Sequence, residues 1–483
     1  MATTVIAGGG IAGLTLALAL GRRGHRVRVL ERSEQPPDGP VVKSAELWQR
    51  PMVPQALHDH VLNALGVRTL RRHAPDVLDA ALAAGARLLD FTTAAPGGLR
   101  ALGDDDLGTL VCRRPVLDLV LHRAVQDLPE VTVSHRTTVT GLLLDTSGPS
   151  GHRVTGVVTT DGERIPANVV VDASGRRSAS RSWLAAAGIA VPDDLTAPSQ
   201  LRAFGRFYRV RDPGGPVPGP LNRGNAAGGI WSHYSAVVHP ADNDVFAITL
   251  GTLPGDHATT ALRTPGAFTA ACRISPYLAA WVDEDAVEPL GPVRIISMPP
   301  NILRGTATGR RHPVEGLLNA GDAACVTDPM FGRGMSLALA HAFLLADLLH
   351  EHPSADAELR RAAADLADEL LRPWYDQGRH DSWSRIERWR AEAGVPMASG
   401  AGQTAPVVPQ HLWSAARTAA ATDPVVWRGI ARVQTSLNTP AEIFADKDFL
   451  RRVRAAADTP VSSGLRPPTR AELRHAIAAQ EGA

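Results

Sequence analysis

Three glycines near the start of the sequence have a spacing that can bind phosphate groups. Gly8, Gly10 and Gly13 form the pattern G-x-G-x-x-G directly after a short apolar run. In such a turn the first glycine permits a tight bend, the second lets a pyrophosphate approach the backbone, and the third lets the following helix pack on the strand. The unpaired N–H groups and the dipole of that helix then face the phosphates. The pattern predicts a dinucleotide site rather than an ordinary tight turn, with Ile11 and Ala12 in its first helical turn.

A carboxylate follows where a ribose would bind. Glu31 lies 23 residues after Gly8, at the end of the run Arg26 to Leu30, and its neighbour Arg32 belongs to the same predicted site. A carboxylate at a strand end can accept both hydroxyls of an adenosine ribose, and it disfavours a 2′-phosphate. This local pattern leaves open whether the dinucleotide is NAD or FAD.

The elements that must hold these residues form one βαβ unit. The sequence predicts a strand over residues 4–7, a helix over 11–22 and a second strand over 26–30. The glycines interrupt the apolar run well short of the roughly 20 residues that a spanning helix needs, and the basic start of a signal peptide is absent. We therefore expect a soluble fold with no membrane span.

Charge and cysteine content exclude several classes of function. Lysine and arginine (50) nearly balance aspartate and glutamate (49), so we expect no binding of nucleic acid or of an acidic membrane surface. Cys112, Cys272 and Cys325 are far apart and lack metal-ligand spacing, so we expect neither a disulfide framework nor a zinc site. A reduced, cytoplasmic location fits this composition best.

The rest of the chain changes character twice. Helical segments are predicted over 51–86 and 113–125, and segments of alternating apolar and polar residues over 131–144 and 153–160. A β-rich region with a Gly/Pro loop at 212–229 follows over 200–300. A second strand–turn–helix is predicted over 316–349, and the remainder of the chain is mainly helical. Asp161-Gly162 predicts a hairpin turn. Thr469 with Glu472 predicts a capping box for the last helix.

The second glycine-rich junction separates FAD from NAD, because a nicotinamide enzyme has no need of it. The segment AGDAACVTDPMFGRGMSLALAHA (320–342) resembles the G-D segment of flavin-dependent monooxygenases of the para-hydroxybenzoate hydroxylase fold. The resemblance implies that Asp322 binds the ribityl chain and that Pro329, Gly332 and Gly334 lie beside the isoalloxazine. We also expect Met335 to belong to the cofactor site. A helix N-terminus at this junction would also stabilise the anionic edge of a reduced flavin. The alternative is that these glycines serve only a helix cap.

Two further segments resemble the same family, in the same order. VVVDASGRRSASR (169–181) is similar to its D-G segment, with Asp172, Gly175, Ser178 and Arg181 matching. RRPVLD (113–118) resembles the helix whose arginine contacts the flavin side, which implies that role for Arg114. The chain is most similar to actinobacterial FAD-dependent oxidoreductases of secondary metabolism, a set that includes polyether epoxidases. It departs from the family pattern at Cys325, where many hydroxylases have histidine, and at Asp328.

The resemblance implies an α/β fold: a Rossmann-like FAD-binding domain of the GR2 type, an inserted β-sheet substrate domain and a helical C-terminal region. We expect the FAD-binding domain over 1–195 and 301–350, the substrate domain over 196–300 and the helical region over 351–483.

The function implied is that of an FAD-dependent monooxygenase, which hydroxylates or epoxidises an apolar or aromatic secondary-metabolite intermediate through a flavin C4a-hydroperoxide formed with O2. The electron source is NAD(P)H, which either binds directly or acts through a flavin reductase, because only one G-x-G-x-x-G is present. The flavin performs the difficult step, so no side-chain nucleophile is required.

Other functions on this fold stay open as alternatives. A reductase or dehydrogenase of prenyl or polyene substrates would carry a Y/F-x-W-x-F-P segment, which is absent. A halogenase would carry W-x-W-x-I-P and an active-site lysine, whereas no W-x-W occurs and the lysines are Lys43 and Lys447. A non-catalytic FAD-bound partner in a biosynthetic complex is the third alternative.

Several side chains are candidates for roles beside the flavin. Asp328 is a candidate acid or base, with a capping role as the alternative, and His58 is a second candidate. His58 and His60 lack a third metal ligand nearby, so we expect packing beside the flavin or a solvated loop rather than a metal site. We expect a structural role for His341 and for Trp374, Trp383 and Trp389, and we leave Arg176 and Arg177 open between a phosphate contact and a solvated turn.

Overall fold

The computed structural model describes residues 3–98, 100–148, 151–309, 314–396, 407–455 and 465–480. Its strands are β1 (Thr3–Ala7), β2 (Arg26–Leu30), β3 (Val61–Leu62), β4 (Arg87–Asp90), β5 (Gly108–Val111), β6 (Val131–Ser134), β7 (Val139–Gly148), β8 (Gly151–Thr159), β9 (Arg164–Pro166), β10 (Val169–Asp172), β11 (Leu195–Ala197), β12 (Arg202–Val210), β13 (Ala227–Ile230), β14 (Ser235–Pro240), β15 (Val245–Thr252), β16 (Val287–Ser297), β17 (Asn301–Leu303), β18 (Val314–Glu315), β19 (Leu317–Asn319) and β20 (Cys325–Val326).

Its helices are α1 (Ile11–Gly21), α2 (Val41–Leu47), α3 (Ala64–His73), α4 (Pro75–Ala83), α5 (Arg114–Gln126), α6 (Ser180–Ala186), α7 (Pro265–Arg273), α8 (Gly305–Thr308), α9 (Gly334–Glu351), α10 (Ala357–Leu370), α11 (Arg372–Ala393), α12 (Gln410–Ala420), α13 (Pro424–Gln434), α14 (Pro440–Ala445), α15 (Lys447–Ala455) and α16 (Arg470–Ala478). Short 3-10 turns that bear on the site span Pro54–Leu57, Gly175–Arg177, Gly321–Ala323 and Pro329–Phe331. None of the described helices has an apolar stretch long enough to cross a membrane.

A five-stranded parallel sheet contains the predicted βαβ unit. The strand order is β19-β10-β1-β2-β6, and every neighbouring pair is parallel. The apolar side chains of β1 and β10 are buried, as expected for a sheet that is covered on both faces. The prediction of an α/β fold with a Rossmann-like sheet is therefore confirmed.

Helix α1 is buried along its whole length. All eleven of its residues are buried, and it packs against β1 and β2 on one side and against α5 and α9 on the other. A helix that is covered on every side has apolar residues around its whole circumference rather than along one stripe. Burial on every side explains why α1 contains the apolar run LTLALAL (14–20), although no described helix could cross a membrane.

A second sheet of five antiparallel strands occupies the β-rich region. Its strand order is β13-β14-β15-β12-β16. Because successive side chains of a strand point to opposite faces, Phe204 packs into an aromatic core with Phe268 and Trp281, whereas its neighbour Ala203 lies on the other face. That other face forms a wall of the cavity described below.

The C-terminal helices do not all pack together. Helix α10 packs against α9, helices α12 to α15 pack against one another, and a shared core with α11 contains Trp374, Trp413 and Phe449. Helix α16 instead returns to the antiparallel sheet layer, where Leu473 and Ile477 join the aromatic core beside α7. The sequence predicts a helical C-terminal region but contains no signal for this separate docking.

Several local predictions are confirmed. Thr469 and Glu472 form the capping box at the start of α16, and the hairpin at Asp161-Gly162 joins β8 to β9 in antiparallel register. In the stretch 51–86, predicted as helical after a proline-rich start, the short strand β3 precedes helices α3 and α4. The proposed domain boundaries stay predictions.

The docking of α16 generates a test of stability. Ile477→Ala should lower the free energy of unfolding by about 2–4 kcal/mol, because a buried isoleucine loses its packing against α7. Arg474→Ala, on the exposed face of the same helix, should change it by less than about 0.5 kcal/mol. Urea unfolding followed by tryptophan fluorescence measures both, and equal stabilities for the two variants would refute the docking.

Candidate functional site

A continuous cavity of about 1370 Å³ lies between the parallel sheet, the antiparallel sheet and the C-terminal helices. Pockets for a single drug-sized ligand usually measure about 300–1,000 Å³, so this cavity has room for two molecules. Seventeen of the residues selected from the sequence line it: Gly8, Gly10, Ile11, Ala12, Glu31, Arg32, His58, His60, Arg114, Gly175, Arg176, Arg177, Asp322, Pro329, Gly332, Gly334 and Met335. Gly13 and Asp328, also selected, do not line it.

The glycine turn (residues 8–13) shows three different requirements. Gly8 has φ +116°, and a Cβ on it would lie 2.5 Å from the carbonyl oxygen of Ala173, the residue that follows β10. A Cβ on Gly13 would lie 1.9 Å from the carbonyl oxygen of Gly8, so helix and turn touch directly. Gly10 has no atom within 4 Å of such a Cβ, because it faces the open cavity. Gly8 and Gly13 are required by the fold, and Gly10 leaves room for a ligand.

The carboxylate of Glu31 is held in place by backbone groups. It accepts hydrogen bonds from the N–H of Gly9 (2.6 Å) and of Ser33 (2.8 Å). Burial would raise its pKa, but the positive charge of Arg50 and these hydrogen bonds lower the pKa below its usual range. Glu31 is therefore a fixed, ionised acceptor at the cavity wall.

Arg50 is a site residue that the sequence analysis missed. Its guanidinium is buried, donates to the Asp118 carboxylate at 2.7 Å and to the carbonyl of Gly9 at 3.1 Å, and lies 3.8 Å from Glu31. Asp118 lies one turn after Arg114 on α5, and their side chains are 3.5 Å apart. The i, i+4 spacing of Arg114 and Asp118 could have indicated this ion pair from the sequence. Arg50 lies in a loop, where no sequence pattern indicates its partners.

The segment after β10 forms a hydrogen-bonded turn. Asp172 accepts from the backbone N–H of Ser174 (2.9 Å) and from the hydroxyl of Ser178 (2.7 Å), which fixes the turn under the cavity. Arg176 lines the cavity and donates to Gln55 at 2.8 Å. Arg181 instead pairs with Asp194, away from the cavity. Of this motif, only the turn and the residues next to it reach the cavity.

Asp322 is presented by a turn that touches α1. A Cβ on its neighbour Gly321 would lie 2.6 Å from the Cβ of Ala12, so the two glycine-rich junctions meet. The Asp322 carboxylate lines the cavity and accepts no hydrogen bond from the described part of the chain. Burial raises its pKa, although the charges of Arg114, Arg176 and Arg304 oppose the shift. Such a carboxylate fits a ligand that offers hydroxyl groups.

Helix α9 begins at the cavity. Gly332 has φ +62° and ends the preceding 3-10 turn, and Gly334, the first residue of α9, has no atom within 4 Å of an added Cβ. The first N–H groups of a helix have no partner within it. At this wall they and the helix dipole favour a group that carries negative charge.

Asp328 has a structural role in this geometry. It is buried, its carboxylate accepts from Arg385 and Ser382 at 2.7 Å each, and it also caps the 3-10 turn through the N–H of Met330 (3.0 Å). Because it is paired and outside the cavity wall, the structure favours the capping interpretation over the acid or base interpretation.

Two histidines beside the cavity, His58 and His60, have pKa values below the usual range. Burial lowers the pKa of His58 to about 4, and burial and the charge of Arg114 lower that of His60 to about 4. Neither belongs to a group of three or more metal-ligating side chains, and no such group occurs among the described residues. His239, on β14, also lines the cavity and pairs with Asp59 at 2.6 Å.

Apolar side chains of the antiparallel sheet face the cavity opposite the glycine turn. Each of the five strands contributes a lining residue, of which four are apolar and Thr249 carries a hydroxyl group: Ala203, Ile230, Val237, Thr249 and Ile296. These residues form the sheet wall of the cavity.

The other selected residues lie elsewhere. His341 is buried in α9, where burial lowers its pKa to about 4, in keeping with a structural role. Trp374 is buried, and the Arg333 guanidinium carbon lies 5.1 Å from the centroid of its ring. Trp389 is also buried, and its indole N–H donates to the carbonyl of Trp231 at 2.9 Å. Trp383 lies half-buried on α11.

Comparison with known proteins identifies the first part of the chain. Residues 1–198 match the family described as "FAD binding domain". No curated protein sequence matches the chain. The residues described above fit FAD, since they combine a glycine turn, a ribose acceptor and an unpartnered carboxylate along one cavity.

Solved structures share the fold over most of the chain. PqsL, described as a probable FAD-dependent monooxygenase from Pseudomonas aeruginosa, has a TM-score of 0.59 at 19% identity and covers 81% of this chain and 99% of its own. The p-nitrophenol 4-monooxygenase PnpA from Pseudomonas putida DLL-E4 has a TM-score of 0.57 at 17% identity and covers 91% and 100%. The Diels-Alderase PyrE3 of pyrroindomycin biosynthesis has a TM-score of 0.53 at 20% identity and covers 82% and 78%. Residues 1–198 therefore match an FAD-binding domain, and the chain shares the fold of solved FAD-dependent monooxygenases.

Proposed function

We propose that the protein is an FAD-dependent monooxygenase that hydroxylates or epoxidises an apolar or aromatic small molecule. The observation that carries this proposal is the single cavity, which joins the glycine turn and the α9 start to an apolar sheet wall. A cofactor and a substrate can therefore meet in one enclosed space. PqsL, which shares the fold, has been solved in complex with 2-aminobenzoylacetate, an aromatic molecule.

Each half of the proposed FAD site has its own residues. The start of α1 and the open side of Gly10 hold the pyrophosphate, and Glu31 accepts from the adenosine ribose. Asp322 accepts from the ribityl hydroxyls, and the N-terminus of α9 lies at the flavin ring with Pro329 and Met335. Arg50 keeps Glu31 ionised and fixes the backbone at Gly9.

Bound FAD supplies the redox chemistry that activates O2 for transfer of one oxygen atom. The chain orients the substrate on the sheet wall and excludes water, since apolar residues line that wall. The N-terminus of α9 stabilises negative charge beside the flavin ring. His58 is neutral at physiological pH, so it adds no positive charge to the substrate space.

The electrons come from NAD(P)H, either bound transiently at the cavity or used by a separate flavin reductase. Anaerobic mixing of the FAD-loaded protein with NADPH distinguishes the two routes. Rapid bleaching of the flavin shows direct reduction, and a persistent yellow colour shows dependence on a reductase.

One neighbour supports a second candidate function. PyrE3 shares the fold and is described as a Diels-Alderase, so a bound FAD in this fold is compatible with a ring-forming role. A reductase or dehydrogenase of prenyl or polyene substrates is the other alternative. Neither alternative transfers oxygen to its product, and this difference makes them testable.

Oxygen transfer is the central test of the proposed reaction. The FAD-loaded protein is supplied with NADPH, a flavin reductase and a panel of phenols, anilines and polyenes under isotopic dioxygen. We expect substrate-dependent NADPH consumption and a product that contains the heavy isotope. A product with the substrate's own formula, or one that has only lost or gained hydrogen, would favour the alternatives instead.

The glycine turn provides a test of the proposed cofactor contact. Gly10→Ala should leave the free energy of unfolding within about 1 kcal/mol of the parent, because its Cβ meets no atom. It should weaken FAD binding at least about tenfold, which equals about 1.4 kcal/mol, because that Cβ occupies the space of the pyrophosphate.

Gly13→Ala is the matched comparison, since its Cβ would collide with the Gly8 carbonyl and should destabilise the apoprotein. Thermal unfolding of the apoprotein and fluorescence titration with FAD measure the two effects. Normal FAD affinity in Gly10→Ala would remove Gly10 from the cofactor site.

A further inference from the structure

The cavity carries far more positive charge than the chain as a whole. Ten arginines and four carboxylates line it, whereas the whole chain has a formal net charge of +1. Part of this excess suits the pyrophosphate of FAD, which has two negative charges. Another part lies at the helical end of the cavity, where the residues of the proposed cofactor site do not reach.

Arg388 on α11 and Arg417 on α12 lie at this end, where both line the cavity and are exposed at its mouth. The side chain of Arg388 donates only to the carbonyl of Ser384 in its own helix (3.2 Å), and the guanidinium of Arg417 lies 5.7 Å from the Trp413 ring centroid. Neither forms an ion pair with a described residue.

Glu387 and Glu392 lie near Arg388 on α11, but neither forms an ion pair with it. Burial and the charges of Arg417 and Arg385 lower the pKa of Arg388, and no carboxylate opposes the shift. Arg385 is already paired with Asp328 at 2.7 Å. Helices α12 and α13 and the sequence 397–406 before α12 contain no acidic residue, and Asp423, which lies between the two helices, pairs with Arg452. Nearby like charges in a cleft raise the local potential and attract an anion.

We propose that Arg388 and Arg417 form an anion-binding subsite that takes a carboxylate or phosphate group of a molecule entering the cavity. The identity of that molecule rests on the proposed function: it is either the substrate, which then carries an anionic group beside its apolar part, or NADPH with its 2′-phosphate. Bidentate guanidinium groups suit both anions. The subsite lies at the mouth, so it also steers the ligand inward.

The test uses two matched pairs of probes on the FAD-loaded protein. The first pair is 8-anilinonaphthalene-1-sulfonate and N-phenyl-1-naphthylamine, which share an apolar aromatic frame and differ by the sulfonate. The second pair is NADPH and NADH, which differ by the 2′-phosphate. Fluorescence titrations at low and high salt give the affinity ratio within each pair, and these ratios do not depend on oxygen transfer.

The test compares the parent with Arg388→Gln, Arg417→Gln and the double variant. Arg361→Gln is the control, because Arg361 is exposed on α10 and donates to the carbonyl four residues earlier, as Arg388 does, but lies outside the cavity. In the double variant, we expect the affinity ratio that favours the anionic member of one probe pair to fall about tenfold. Its FAD affinity and thermal stability should match the parent.

The pair that responds identifies the source of the anion. Loss of the sulfonate preference assigns the subsite to the substrate, and loss of the NADPH preference assigns it to the nicotinamide dinucleotide. If neither preference changes, or if Arg361→Gln changes it equally, the proposal is wrong. Failure of oxygen transfer alone would overturn the proposed function and leave this subsite standing.

Discussion

The close contact between two glycine-rich junctions is the constraint on which the rest of the structure depends. Gly13 brings α1 onto the turn at Gly8, and Gly321 brings the Asp322 turn onto Ala12. No side chain fits at either contact. As a result, two helix N-termini that are far apart in sequence, those of α1 and α9, open into one cavity. The unpaired N–H groups of both helix starts favour a ligand that carries negative charge at two places.

The charged side chains around the glycine turn hold that turn and Glu31 in a fixed geometry. Arg50 is enclosed by Asp118, Glu31 and the Gly9 carbonyl, so a buried cation holds both an acid and a segment of backbone. A buried ion pair gives little net stability, because desolvation offsets most of the attraction. Its effect here is to fix the orientation of Glu31 at the cavity wall. Asp328 and Arg385 do the same for the turn that precedes α9.

The sequence predicts those features that depend on local order. The βαβ unit, the buried helix α1, the hairpin after β8 and the capping box of α16 each arise from residues close together in the chain. Residues selected from separate glycine-rich motifs line one cavity because each of these motifs follows a strand of the parallel sheet. Such junctions meet at the same edge of a parallel sheet.

The features that the sequence does not predict depend on distant partners. Arg50 finds Asp118 68 positions away, and Asp328 finds Arg385 57 positions away. Neither pair has a periodic pattern that would mark it. Likewise, α16 has the same amphipathic character as its neighbours, so its return to the antiparallel sheet is decided by packing rather than by its own sequence. Arg388 and Arg417 become neighbours only because α11 and α12 meet at the cavity mouth.

If the cavity binds FAD as proposed, the starts of α1 and α9 contact one extended cofactor. Calorimetric titration of the apoprotein with FAD tests this most directly, with ADP and riboflavin as competitors for the two halves. We expect one FAD per chain and displacement of FAD by each competitor separately. If no FAD binds, or if only one of the two competitors displaces it, the cavity does not hold FAD along both junctions and the central claim is contradicted.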